Sequence, residues 1–278
     1  MPPIFEKSVR DLDDAVTALS SILRTQDGVT PPSVQEYFGY KHAYQIFYSS
    51  VAFQRHVQIS KFNLKGDLPE IWDTSTLATI ARNIWDTYAS YRFYCHEPET
   101  AEIFVFRKTA AHYIAEIRRL QMITKINPTS AHISDLEVMI AEAKSDLELH
   151  PNFQQLDVGT QKKLIRDKEI SAIFIPHEIL RTAGINKEFF QSGYKYLSNH
   201  SHFYSFAFTQ ALTFDINENE GQNTYKTVLE YASLMICFFL EDFKKWYPGS
   251  EYIWSEELTK KIQYWKSFML RENQRRQT

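Results

Sequence analysis

The chain has 278 residues, 44% of them hydrophobic and 23% charged, and a formal net charge of −3. That is enough for one large or two small domains with a sizeable core. The slightly acidic balance argues against a protein built mainly to coat nucleic acid. Only 8 glycines are present, so strand-rich folds with many tight hairpins are disfavoured.

Phe5, Val9, Leu12, Val16, Leu19 and Leu23 recur at spacings of four and three, which predicts an amphipathic helix with a narrow apolar seam. Residues 1–26 are thereby expected to form an N-terminal arm, packed on the body or contributing to a subunit contact. Asp27-Gly28 and Pro31-Pro32 end it. Ser33 and Glu36 have capping-box spacing and open a second, aromatic-rich helix over about 34–62. Lys65-Gly66-Asp67 and Pro69 form a turn.

A third helix is expected over about 75–96, with Leu77, Ile80, Ile84, Tyr88 and Tyr91 on its apolar side. Glu97-Pro98 breaks it, and Pro98 suits the first turn of a helix running to about 126. Asn127-Pro128 stops that one. Ser134 and Glu137 again have capping-box spacing, in a helix over about 131–149. The stretch 131–170 is more charged and less aromatic, and is expected to be a peripheral insertion. Short helices follow near 160–170 and 177–183, the second closed by Gly184.

Asn186 caps a helix expected to run to Leu212. Asp215–Asn223 is expected to be an exposed acidic loop. A helix over 224–247 follows and stops at Pro248-Gly249. Ser255 caps a last helix over about 256–273, before a polar tail. No stretch alternates like a strand. The expectation is an all-α protein: a compact bundle of about eight to ten helices, with 33–273 as a single helical domain.

Cys95 and Cys237 lie in apolar helical patterns and read as buried free thiols. The longest apolar run, Ala232–Leu240, is too short to span a bilayer. MPPIFEKSVRDLDD lacks the apolar segment of a secretory signal. A cytoplasmic protein with no membrane contact is therefore expected. No His-Glu-x-x-His, no Glu-x-x-His pair and no Gly-rich phosphate loop occurs, so neither a metal nor a small-molecule cofactor is expected.

Two groups of residues carry candidate chemistry. The first is Ser198-Asn199-His200-Ser201-His202. On a helix His200 and His202 stand about 200° apart and cannot chelate one metal, whereas Ser198 and His202 share a face. No carboxylate orients them as a nucleophile and base. Arg82 and Asp86, four apart, also share a face. If Arg82 turns inward, Arg82, Asp86, Ser198 and His202 make one polar network locking the core.

LATIARNIWDTYASYRFY followed much later by YKYLSNHSHFYSF resembles a group of bacterial helical proteins of unknown function. Their pattern is an early Arg-x-x-x-Glu helix and a later Leu-Ser-x-x-x-His helix, which fall here on Arg82, Leu197, Ser198 and His202. The acidic position is the shorter Asp86. The resemblance covers about 75–96 and 190–208. It implies a helical bundle and a role in stress or mobile-element defence systems, without a known reaction.

The second group is Arg107 and His112, an Arg-x4-His pattern that resembles the signature of HEPN-type helical ribonucleases. The resemblance implies a dimer cleft, in which His112 would handle the 2′-hydroxyl proton and Arg107 would stabilise phosphate charge. Lys108 departs from the polar residue that commonly follows the Arg. With no complete catalytic constellation in the chain, two functions are expected: partner binding or self-association, and, as the alternative, metal-independent cleavage of RNA by Arg107 and His112.

Overall fold

The computed structural model describes residues 3–26, 28–59, 73–202, 219–247 and 254–275. The turn at 65–69, the stretches 203–212 and 215–218, Asp27, Pro248-Gly249 and the tail beyond 275 lie outside them. The fold is all-α, with no strand among the described residues. The chain divides into two compact units: Met1–Arg92 with Pro176–Thr278, and Phe93–Ile175.

In the first unit, α1 (Pro3–Thr25) packs against α2 (Val34–Ile59), α10 (Asn219–Phe243) and α11 (Glu256–Arg275). Its seam residues Leu12, Val16, Leu19 and Leu23 are buried there; the Phe5 side chain lies outside the described residues. Each such burial stabilises by about 1.5–3 kcal/mol. The seam is thus part of this unit's own core. Ser33 accepts from the Glu36 amide at 3.1 Å, and Ser255 from the Leu258 amide at 3.0 Å, so both hydroxyls cap the helices they precede.

The helix at the centre of this unit is α3 (Thr74–Tyr91). It packs against α2, α10, α8 (Pro176–Thr182) and α9 (Lys187–Ser201). Trp85 lies fully buried between α9 and α10: its indole donates to the Tyr231 carbonyl at 3.0 Å and its ring stacks on Phe190. Gly193 on α9 makes this contact feasible. A Cβ there would fall 2.7 Å from the Trp85 ring.

In the second unit, α4 (Ala101–Ile126) and α5 (His132–Leu149) pack as a hairpin. They share a core with Phe153 of α6 (Pro151–Gln154) and Leu164, which lies in the π turn after α7 (Val158–Lys162). This unit is wider than an insertion at 131–170. The difference arises because Phe106, Ala110, Tyr113, Ile114 and Ile117 of α4 face Ala143 and Leu147 of α5, so α4 belongs with its hairpin partner. Charge density along the chain does not carry that information.

Two local expectations are corrected. Ser134 lies inside α5, whose N-cap is Ala131 without a side-chain cap bond. Residues 219–223 are helical, because α10 begins at Asn219 instead of 224.

Candidate functional site

The polar residues singled out on the first unit come together on one side of α3. The Arg82 Nε donates to the Tyr194 hydroxyl at 3.0 Å. Its Nη1 lies 2.8 Å from the His202 Nε2. Arginine cannot accept a hydrogen bond, so Nε2 accepts and the imidazole carries its proton on Nδ1. Tyr194 in turn donates to Asp86 Oδ2 at 3.3 Å, and Arg82 lies 3.8 Å from the same oxygen. The Arg82 guanidinium also lies over the Tyr194 ring, 5.0 Å from its centroid.

Two helices supply these groups. Arg82 and Asp86 are one turn apart on α3. Tyr194 sits on α9, opened by Asn186, whose side chain accepts from the Phe189 amide at 3.0 Å. His202 is the C-cap of α9. Ser198 contributes only its carbonyl, which accepts from the His202 amide at 3.1 Å; its hydroxyl bonds neither Arg82 nor His202. The histidine that faces the core is His200, its pKa lowered by burial and its ring lying against Tyr196.

The cluster is not buried. The side chains of Arg82 and Asp86 are 29% and 46% exposed. Burial nevertheless raises the Asp86 carboxyl above its ordinary range, against the downward pull of the Tyr194 bond and the Arg82 charge. Tyr194 is raised for the same reason. Arg82 has five N–H groups and uses two of them here, and its Nη2 has no hydrogen-bond partner among the described residues.

The buried lock of this unit lies elsewhere, and no local sequence pattern announces it. Arg92, 3% exposed at the C-terminal end of α3, pairs with Asp242 of α10. Tyr88 donates to the same carboxylate at 2.7 Å, and Arg92 Nη2 donates to the Thr182 hydroxyl at 2.9 Å. Burial, reinforced by Asp242, raises Tyr88 well above its ordinary range.

In the second unit Arg107 and His112 turn apart, as five residues on a helix require. Arg107 donates to the Phe93 carbonyl, lies 3.7 Å from Glu97 and covers the Phe93 ring at 4.3 Å. Burial lowers its pKa against the raising effect of Glu97. His112 is 48% exposed, with Nδ1 3.7 Å from Glu116.

Cys95 and Cys237 are buried free thiols, the second pushed up to about 12 by burial. Among the described residues no three His, Cys, Asp or Glu side chains are grouped to hold a metal ion. No described helix is long and apolar enough to cross a membrane. Comparison with protein-family models, with curated proteins and with solved structures finds no match to this chain.

Proposed function

We propose that this protein acts by binding, and that the Arg82 cluster is where it takes an anionic group of its partner. The observation that carries this reading is the partly exposed, braced Arg82 side chain. Tyr194 and His202 hold it through Nε and Nη1, and Nη2 bonds no described residue. A pre-oriented arginine of this kind loses little freedom when it forms paired bonds to a carboxylate or phosphate. Such a partner fits the stress or mobile-element defence setting that the Arg82–His202 motif pattern implies.

The test is calorimetric titration of the full chain with inorganic phosphate and with a short RNA, beside light scattering for self-association. Anion binding, or a dimer, that weakens at least about tenfold in Arg82→Ala is the expected result. Binding and mass unaffected by that substitution would overturn it.

A second reading keeps metal-independent RNA cleavage on the second unit. It is favoured by the exposure of His112 and by Glu116 beside its Nδ1. Arg107 is engaged by Phe93 and Glu97, so charge stabilisation there would fall to Lys108 or Arg119, which share the face of His112. Incubation with mixed RNA in the presence of chelator, beside His112→Ala, separates the readings. Cleavage lost in the variant supports this one; equal cleavage by both, or none by either, removes it.

A further inference from the structure

Beside the Arg82 cluster, α2 and α3 border a shallow, open hollow of about 410 Å³ lined by Lys41, His42, Gln45, Asp86, Thr87 and Ser90. A hollow this open would hold a ligand through its polar groups and not by enclosure. The two helices run antiparallel. Asn83 donates to Ser49 at 3.0 Å near one end, and His42 meets the Tyr91 ring edge at the other. Lys41 is therefore level with the end of α3, and Asp86 stands about five residues, or roughly 7 Å, further along the axis.

Four groups around the hollow keep bonding capacity that no described residue takes up: Lys41, Gln45, Ser90 and one oxygen of Asp86. Asp86 spends only Oδ2 on Tyr194 and Arg82, and Oδ1 accepts nothing among the described residues. Lys41 lies 5.0 Å from the Tyr37 ring centroid and forms no ion pair with a described carboxylate. The Gln45 amide and the Ser90 hydroxyl have no hydrogen bond among the described residues. His42 donates from Nδ1 to the Phe38 carbonyl at 2.7 Å, which fixes its ring beside the hollow. The two opposite charges line one hollow without pairing to each other. A purely anionic ligand meets Asp86 and a purely cationic one meets Lys41, so a molecule with both charges is the best electrostatic match.

We propose that the hollow between α2 and α3 binds a small dipolar molecule with well-separated charges, of the short-peptide class, with its ammonium on Asp86 and its carboxylate on Lys41. Gln45 and Ser90 bond the backbone between the charges. This inference stands apart from the anion reading of Arg82, because Asp86 Oδ1 points its unused capacity at a cation.

The probe is 6-aminohexanoate, whose charges are several ångströms apart, with hexanoate and hexylamine as its two halves. Each is titrated into the full chain and followed by NMR. Saturable binding of the dipolar probe near ~1 mM or tighter, about tenfold stronger than either half, is expected. Lys41→Gln and Asp86→Asn should each weaken it about tenfold, and Ser90→Phe should abolish it by filling the hollow, all with unchanged helical circular dichroism. Arg82→Ala should retain it, which separates this site from the anion reading. No saturation, equal binding of either half, or indifference to Ser90→Phe would overturn the proposal.

Discussion

Two arginines ten residues apart on the same stretch of chain meet opposite fates. Arg92 is sealed against Asp242, Tyr88 and Thr182. Arg82 is braced by Tyr194 and His202 and left facing water. The first arrangement satisfies a charge that the fold has already desolvated. The second holds a charge in place without desolvating it. Polar networks of similar make-up therefore serve different ends, and exposure tells them apart better than the number of bonds.

That contrast breaks most readily at Asp242. Asp242→Ala strands the Arg92 charge and the Tyr88 hydroxyl, and should destabilise the protein by about 3–5 kcal/mol. Urea unfolding followed by circular dichroism measures it. A loss below about 1 kcal/mol would mean that the pair is no lock.

Next comes the packing beneath the exposed cluster. Gly193→Ala forces a methyl against Trp85 and should cost about 1–3 kcal/mol. Tyr194 is the next residue on α9, so anion binding at Arg82 should weaken with it. Unchanged thermal stability would show that Trp85 can retreat.

Acid supplies a third probe. Burial lowers the pKa of both His42 and His200 below the ordinary 6.5, the Phe38 carbonyl opposing this at His42. The fold therefore favours their neutral forms. The stability this confers is complete above pH 6.5 and is lost as pH falls below 6.5 towards the folded values. Melting temperature should fall between pH 7 and 5, and the slope should flatten in the His42→Gln/His200→Gln double variant. An unchanged slope would assign acid sensitivity to other groups.

The smallest effect is expected at Arg82 itself. Its 29% exposure limits the cost of Arg82→Ala to about 1 kcal/mol or less, where a buried network would lose about 3–5 kcal/mol. A loss of 3 kcal/mol or more in urea unfolding would erase the distinction between the two arginines.

Local rules explain which of these features can be read from the chain. Ser33, Asn186 and Ser255 are legible as caps because a cap depends on residues three apart. The α1 seam is legible because helical periodicity needs no partner. Arg82 and Asp86 stand one turn apart, and their join to His202 follows from short motifs. Tyr194 carries no polar signal among many tyrosines, though it lies on the face of Ser198, one turn earlier. Arg92 and Asp242 are 150 residues apart and no spacing connects them. The fate of Arg107 depends on where the Phe93 carbonyl lies, which is a matter of backbone path. The boundary at Phe93 is equally silent, because it falls inside a continuous helical stretch with no Gly or Pro to mark it.

The division of the first unit between two chain segments has a consequence for how the molecule is made. Trp85 waits for Tyr231, 146 residues later, and Tyr88 for Asp242, 154 residues later. At ribosomal speeds of about 5–20 residues per second, that interval is roughly 7–30 s. The second unit, contiguous in sequence, can collapse onto its own core within that time. Until α10 is synthesised, Tyr88 and Tyr91 of α3 lack the native cover of Phe239. Chaperone demand during translation should therefore concentrate on α3, and truncations that remove α10 should aggregate even though most of the chain is present.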